Sequence, residues 1–267
     1  MIAILLVFLM LPAFLQAQVL PENSVQFLKE ETNDSNLVHT SIQEISKYDL
    51  SNLWLYGQNN LLGFIGNNYK RFYIRFISII KDADKPNEYY VFGKTRVGNN
   101  VCSFLGKFEV LKAYMVGNNT NETLYEALKH EDKEAAERLK AERGFMLVKY
   151  NFYENPKQRG SGIFRGILKT NFVIKEGKIL LDTLDLESDN YSNNLFVGIW
   201  RSYRTGQKKI CNWGLYRIPF SDDLDIGAGY FSPNKKYWKY GWYNYYKAYI
   251  ELDTAALDRE KEKLWKK

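Results

Sequence analysis

The residue types that most often carry out acid–base, nucleophilic or metal chemistry are sparse in this chain of 267 residues. Its two histidines are His39, in a polar N-terminal stretch, and His130, among many charged residues. A His-dependent triad needs a nucleophile and an orienting carboxylate, and a zinc site needs further ligands at short spacing. Neither histidine lies in such a motif, so we predict no catalytic residue of this kind, no metal site and no cofactor.

The densest group of carboxylates is Asp222, Asp223 and Asp225, in the segment PFSDDLDIGAG. Paired carboxylates could hydrolyse a glycoside, or bind Ca²⁺ together with loop carbonyls. Aspartates in loops more often cap turns by bonding to local backbone, and we favour that interpretation. The following 227–229 segment, GAG, lacks the third glycine and the strand-to-helix context of a phosphate loop. A carboxylate-dependent hydrolase of envelope or dietary polysaccharide, using Asp223 and Asp225, stays as an alternative.

The segment 230–249, YFSPNKKYWKYGWYNYYKAY, has aromatic residues at ten of its twenty positions. Tyr and Trp offer a rigid apolar face with a polar tip, which suits sugar stacking and protein interfaces. Lys235, Lys236 and Lys239 add positive charge beside the rings. The alternative is that these rings close the end of the core. The predicted ligand-binding residues are Tyr230, Tyr237, Trp238, Tyr240, Trp242 and Tyr243, and the ligand is an unidentified small molecule, glycan or envelope protein.

The N-terminus has the pattern of an export signal. Residues 2–15 form an uninterrupted apolar run, and the small residue Ala17 follows shortly after it, although no Lys or Arg stands near Met1. This pattern predicts a signal peptide over residues 1–17, with a retained membrane anchor as the alternative. We therefore expect an exported protein, located in the periplasm, on the cell surface or in the medium. No later stretch is apolar enough for a transmembrane span, so none is expected in the mature chain.

The chain has two cysteines, Cys102 and Cys211, and both lie in strand-like contexts. The predicted export determines whether they are expected to be oxidised. An even number of cysteines in an oxidising compartment favours a disulfide. We therefore predict a Cys102–Cys211 bond, with two separate buried thiols as the alternative.

The formal net charge is +6, but Lys and Arg are spread along the whole chain. Such a distribution is typical of solvated strand faces rather than of a basic patch for nucleic acid. We expect no nucleic-acid partner.

From about residue 53 the hydrophobic pattern has a period of two. In YKRFYIRFISII, Phe72, Ile74 and Phe76 share one face, whereas Arg71 and Arg75 share the other. Runs of this kind alternate with turn residues up to about residue 217, which indicates antiparallel hairpins. We divide the chain into an N-terminal segment (18–52), a β-barrel domain (53–252) and a C-terminal helix (253–267).

One stretch departs from this rhythm. Residues 120–143 contain no Pro and no internal Gly, and Leu124, Leu128, Ala135 and Leu139 form a thin apolar stripe. This pattern predicts a single surface helix inserted between strands and stopped by Gly144.

A Phe-x-Gly triplet recurs on three predicted strands, at 104–106, 164–166 and 196–198. Gly inside a strand marks a bend, a bulge or a close backbone approach, and strongly coiled barrels need such points. A fourth copy, at 64–66, runs into Asn67-Asn68 and predicts a turn. Chance recurrence in a chain rich in Phe and Gly is the alternative.

The segment Phe196-Val197-Gly198-Ile199-Trp200 resembles the Phe-x-Gly-x-Trp strand of calycin-like and lipocalin-like β-barrels. The signal peptide and the composition also resemble those of exported Bacteroidetes proteins. In lipocalins the Gly-x-Trp signature belongs to the first strand, whereas here it lies late in a longer chain, so no ligand residue carries over.

Taken together, the resemblance and the hairpins imply a mainly β fold, an antiparallel meander closing into a calycin-like barrel with one inserted surface helix and a C-terminal helix. The predicted function is that of an exported, non-enzymatic binding protein. A structural envelope protein without a small ligand is a further alternative.

Overall fold

The structure is a computed structural model that describes residues 20–35, 37–116 and 122–262. The predicted signal peptide, residues 1–17, lies outside these ranges. The α-helices are α1 (Glu22–Glu31), α2 (Ile42–Ile45), α3 (Ser51–Leu55), α4 (Glu122–Glu131), α5 (Lys133–Lys140), α6 (Tyr243–Tyr249) and α7 (Thr254–Glu262). Short 3₁₀ helices span Gln58–Asn60, Asp222–Leu224 and Lys235–Tyr240.

Strands dominate the fold, as predicted. They are β1 (Leu37–Thr40), β2 (Leu61–Ile65), β3 (Lys70–Lys81), β4 (Glu88–Val97), β5 (Asn100–Val116), β6 (Glu142–Glu154), β7 (Gly162–Lys175), β8 (Lys178–Leu181), β9 (Asn193–Ser202) and β10 (Lys208–Leu215). Every pairing between them is antiparallel. The prediction of a mainly β, antiparallel fold is therefore confirmed.

Eight of the strands form a ring of pairings in the order β5-β4-β3-β2-β10-β9-β7-β6, which closes where β6 pairs with β5. These strands are not spaced evenly around one axis. Strand β1 adds to β5 outside the ring, and β8 adds to β7.

The period-two pattern of β3 places its faces as expected. Phe72, Ile74 and Phe76 are buried in the main core. The ring of Phe76 lies 5.7–6.2 Å, centroid to centroid, from the rings of Phe104, Phe108, Phe152 and Phe196, which come from three other strands. Large aromatic side chains therefore fill the main core.

The N-terminal segment packs on the ring from two sides. Helix α1 is held by the hydroxyl of Ser24, which donates to the carbonyl oxygen of Val197 at 2.7 Å. Trp54 of α3 enters the main core, where its indole N–H donates to the hydroxyl of Thr170 at 3.0 Å. The segment thus seals apolar surface that the strands alone leave open.

The Phe-x-Gly triplets mark close approaches, as predicted. Gly166 and Gly198 face each other across β7 and β9. A Cβ atom on Gly198 would lie 2.2 Å from the carbonyl oxygen of Arg165 and 2.4 Å from the hydroxyl of Tyr150. The two glycines therefore make room for the Tyr150 side chain. The triplet at 64–66 ends in a turn, as predicted, with Gly66 at a φ of 79°.

The single helix predicted over residues 120–143 is wrong. Two helices, α4 and α5, occur instead, separated at Asp132, whose carboxylate accepts the N–H of Ala135 at 2.9 Å and begins a new helix. Gly144 lies inside β6 rather than at a helix end. A Cβ atom there would meet the carbonyl oxygen of Tyr114 at 2.4 Å, so Gly144 serves strand packing.

The predicted Cys102–Cys211 disulfide is also wrong, because both cysteines are buried free thiols. Cys102 lies in β5 and Cys211 in β10, and three strands separate them in either direction around the ring. Neighbouring strands are about 4.8 Å apart, whereas a disulfide needs Cα atoms within about 7 Å of each other. The two thiols therefore lie on strands that are not neighbours in the sheet.

The C-terminal segment folds back onto the outside of the ring and builds a second core. Leu62 and Phe64 of β2 pack there with Phe231, Tyr237 and Trp242. Helix α7 forms the described part of the predicted C-terminal helix, and residues 263–267 lie outside the described ranges. Within those ranges, no helix has the length and apolar character that crossing a membrane requires.

Candidate functional site

The aromatic C-terminal segment is anchored at the turn between β2 and β3. Trp242 is fully buried, and its indole N–H donates to the carbonyl oxygen of Tyr69 at 2.7 Å. The preceding Gly241 has a φ of 105°, and a Cβ atom there would lie 3.1 Å from Cβ of Arg71. The chain can therefore turn tightly against β3 and lay α6 and α7 over it.

A cleft of about 600 Å³ lies between the outer face of β2 and β3 and helices α6 and α7. A second cavity of about 440 Å³ adjoins it. The two share the lining residues Asn59, Asn60, Leu62, Tyr245 and Tyr249. We call these two adjoining cavities together the tail cleft, and its first part has the volume of a small-molecule site.

A buried ion pair forms one wall of the tail cleft. Nη2 of Arg71 lies 2.6 Å from Oε2 of Glu260, and the two side chains are only 6% and 8% exposed. Oε1 of Glu260 accepts a further hydrogen bond from Nδ2 of Asn244 at 2.7 Å. Nη1 of Arg71 is buried and has no hydrogen-bond partner in the described part of the chain. Because Arg71 also lines the cleft, this donor is one that a ligand can satisfy.

Aromatic rings surround the Arg71 guanidinium, at 4.4 Å from the Tyr73 ring centroid, 5.0 Å from Tyr245 and 5.2 Å from Trp242. Burial acts to lower the pKa of Arg71, but Tyr73 and Glu260 outweigh it, so the pKa lies above its ordinary value. Burial raises the pKa of Tyr245 as well, which keeps its phenol neutral. The cleft wall is thus a charged arginine framed by neutral rings.

The second part of the tail cleft contains another arginine, Arg217, with a different environment. Its Nη1 pairs with Asp225 at 2.5 Å and also donates to the carbonyl oxygen of Gly227, while Nη2 donates to the carbonyl oxygens of Ala228 and Gly229. Arg217 therefore holds the 225–229 loop. Both of its Nη atoms have acceptors, whereas Nη1 of Arg71 has none in the described ranges.

The six predicted ligand-binding residues separate into two groups. Trp242 and Tyr237 are buried in the second core, whereas Tyr230 is 80% exposed, Tyr243 is 51% exposed, and Trp238 and Tyr240 are half-buried. Only Tyr230 lines the tail cleft.

Each aspartate of the predicted acidic group has a partner nearby. Asp222 accepts from the Tyr69 hydroxyl at 2.6 Å, and Asp225 accepts from the backbone N–H groups of Gly227 and Ser232 besides pairing with Arg217. Asp223 pairs with Lys236 and accepts from the hydroxyl of Tyr237 at 2.6 Å. The hydrogen bond from Lys236, followed by that from Tyr237, holds the pKa of Asp223 below its ordinary value. Asp223 and Asp225 tie the loop to the C-terminal segment, and Asp222 ties it to the turn between β2 and β3.

Metal-binding residues do not converge anywhere in the described ranges, where no group of three or more His, Cys, Asp or Glu could hold an ion. His39 packs edge-on against Tyr114, with ring centroids 5.5 Å apart.

One buried carboxylate is not among the residues predicted from the sequence. Glu154 accepts the N–H of Gly162 at 2.8 Å, the indole N–H of Trp200 at 3.0 Å and a short hydrogen bond from the Thr95 hydroxyl. Burial raises its pKa, although these hydrogen bonds oppose the shift. Glu154 does not line the tail cleft.

No motif in the sequence marks the main residues of the tail cleft as a site. These residues are Arg71, Tyr73, Tyr245, Tyr249 and Glu260. Arg71 was placed on the outer face of β3, which is correct, but an outward arginine normally meets solvent. The sequence predicts a C-terminal helix, but no local pattern places that helix or α6 over Arg71.

No significant match to this chain was found among protein families, characterised proteins or solved structures.

Proposed function

We propose that this chain is a binding protein for a small organic ligand, which it holds in the tail cleft. The observation that carries the proposal is the buried Arg71, whose Nη1 has no hydrogen-bond partner in the described ranges and whose side chain lines a cavity of about 600 Å³. A buried donor without an acceptor costs about 1–3 kcal/mol, and a bound ligand can recover that cost. Neutral aromatic rings beside it supply apolar contact area.

A ligand on the outside of the ring is consistent with the packing of the main core. Phe196 and Trp213 stack there with ring centroids 4.5 Å apart, and both are almost completely buried. We further propose that the ring is a calycin-like barrel whose ligand site has moved from the interior to the C-terminal segment. The apolar run at residues 2–15 supports the proposal that the protein is exported.

Saturation-transfer NMR with phenyl β-D-glucoside tests this function. The probe is neutral and carries both an aromatic ring and hydroxyl acceptors. We expect transfer from the wild-type protein and its loss in Leu257→Trp, because Leu257 lines the cleft and a larger ring fills it.

The matched control is Leu105→Trp, the same substitution at a residue of β5 that is 66% exposed. This variant should behave like wild type. The absence of transfer to the wild-type protein, or equal transfer to Leu257→Trp, would contradict a site in the tail cleft.

A structural envelope protein is the second candidate, and the aromatic filling of the main core favours it. This role needs no ligand, so it predicts no transfer in any of the three proteins. The polysaccharide hydrolase would need Asp223 and Asp225 in catalysis, and both are engaged in ion pairs.

A further inference from the structure

We infer that the ligand of the tail cleft carries one carboxylate, and that this carboxylate binds Nη1 of Arg71. The inference rests on the proposed function, since it assigns the ligand class of the same cleft. It follows from three observations: the hydrogen-bonding state of Arg71, the charges that line the cleft, and the contacts of Glu260.

The hydrogen bonds of Arg71 leave one side of its guanidinium unused. Nη2 is bound by Glu260, whereas Nη1 has no acceptor in the described ranges. The rings of Tyr73 and Tyr245 offset part of the buried charge, but a ring face is a weaker acceptor than an anionic oxygen. A carboxylate matches the planar donor geometry of a guanidinium and supplies such an anionic oxygen.

The charges around the cleft favour a single negative charge on the ligand. In the part of about 600 Å³, the charged lining residues are Arg71, Arg75 and Glu260. Arg71 and Glu260 neutralise each other, and Arg75, at an exposed position of the lining, adds one positive charge that a monocarboxylate neutralises. A dianion would bring its second charge close to Glu260 inside a cavity of low dielectric constant, where repulsion is strong.

Glu260 acts as a positioning residue. Asn244 donates to its Oε1, and Arg71 donates to its Oε2. Held in this way by two elements, the carboxylate keeps the guanidinium in one orientation with Nη1 left over for the ligand. Glu260 also weakens ligand binding, because its own charge opposes that of the incoming carboxylate.

The remaining lining favours an apolar body on the ligand. Tyr73, Tyr245, Tyr249, Leu252 and Leu257 contribute rings and aliphatic side chains to the same part of the cleft. The ligand class is therefore a monocarboxylic acid with an aromatic or aliphatic body.

A pair of probes isolates the carboxylate. Phenylacetate and phenylacetamide have nearly the same shape, but only the first is charged. We expect phenylacetate to bind at least about tenfold more tightly in an NMR or calorimetric titration, because a charge-assisted hydrogen bond is roughly twice as strong as a neutral one. The preference should shrink as salt is added.

Two variants test whether the preference for phenylacetate over phenylacetamide depends on Arg71 and Glu260. Glu260→Gln removes the opposing charge and keeps an oxygen that accepts from Arg71, so it should increase the preference for phenylacetate several-fold. The double variant R71Q/E260Q removes both charges together and should bring the ratio of the two affinities close to one. Circular dichroism verifies that each variant is folded. If the double variant does not fold, the wild-type ratio and the effect of E260Q decide the question.

The outcomes separate this inference from the proposed function. If both probes bind equally to wild type and both are lost in Leu257→Trp, the cleft binds ligands but the carboxylate assignment is overturned. If phenylacetate is preferred equally in wild type and in R71Q/E260Q, the assignment to Arg71 is overturned. If neither probe binds but phenyl β-D-glucoside does, the inference fails and the proposed function stands. If none of the three binds, both fail.

Discussion

The indole N–H of Trp242 donates to the carbonyl oxygen of Tyr69 across 2.7 Å, although 173 residues separate the two in sequence. Tyr69 has a left-handed backbone, with a φ of 51°, in the turn that joins β2 to β3. This contact ties the C-terminal segment to the ring at the turn that precedes β3. Beyond it, α6 and α7 lie over Arg71 and enclose the tail cleft.

Replacing Trp242 by Ala is expected to destabilise the protein by about 3–5 kcal/mol, because a fully buried indole leaves a large cavity and an unpaired carbonyl. Trp242→Phe, which keeps a ring but lacks the N–H, should lose less. Urea denaturation followed by circular dichroism measures both changes.

Trp238→Ala is the matched comparison, since Trp238 is only half-buried and donates to the nearby carbonyl oxygen of Pro233. It should lose clearly less stability than Trp242→Ala. The reverse order would show that the C-terminal segment is not anchored at Trp242.

Glu154 predicts a dependence of stability on pH. Its folded-state pKa is raised above the ordinary value of 4.5 because it is buried, so folding favours the protonated form. The stabilising contribution is complete below the ordinary pKa and is lost as the pH rises through the folded-state pKa. In that window the free energy of unfolding should fall by up to about 1.4 kcal/mol per pH unit.

Glu154→Gln is the control for this effect. Its amide oxygen can accept from Gly162 and Trp200, and its amide nitrogen can donate to the Thr95 hydroxyl. Urea unfolding between about pH 4 and pH 8 should show a flatter profile for the variant, with its advantage over wild type at the upper end. Parallel profiles would mean that another group titrates.

Tyr150 and Tyr89 are both fully buried, but they differ in their hydrogen bonds. The Tyr150 hydroxyl has no partner in the described ranges, whereas the Tyr89 hydroxyl accepts the N–H of Leu50 at 3.2 Å and donates to the carbonyl oxygen of Tyr48 at 3.4 Å. Tyr150→Phe should therefore be neutral or stabilising, and Tyr89→Phe should cost about 1 kcal/mol. Equal losses in thermal denaturation would argue against an unsatisfied Tyr150 hydroxyl.

The two cysteines should behave as buried thiols. Burial, with a smaller effect of Glu154, raises the pKa of Cys102 to about 11, and burial raises that of Cys211 well above its ordinary value. Little thiolate is therefore present near neutral pH, and reaction with dithionitrobenzoate should be slow in the folded protein. Both thiols should react once the chain is unfolded without reductant. Recovery of no thiol under those conditions would restore the predicted disulfide.

Arg71 shows which part of the tail cleft can be predicted from the sequence and which part cannot. The alternation of β3 correctly places Arg71 opposite Phe72, because side-chain direction in a strand is a local property. The burial of Arg71 depends on Glu260, which lies 189 residues later in the chain. Glu260 belongs to a helix whose position against β3 no local pattern reveals. An outward arginine was therefore interpreted as solvated.

The Phe-x-Gly triplets also combine a property that the sequence predicts with one that only the tertiary structure shows. Sequence spacing indicated that Gly166 and Gly198 permit close approach, since glycine in a strand has few other uses. Only the register of β7 and β9 shows that these two glycines face each other, and only the position of β6 shows that Tyr150 fills the space.

The sequence alone determined the antiparallel strand content and several of the turns, because period-two alternation and turn residues act over a few neighbouring positions. The tertiary structure decided the order of strands in the ring, which keeps Cys102 and Cys211 apart, and the folding of the C-terminal segment over β2 and β3. Both depend on contacts between residues that are far apart in the sequence. The local pattern of one strand or helix does not show which other strand or helix it will pack against. The tail cleft, with Arg71 in its wall, exists only because of those contacts.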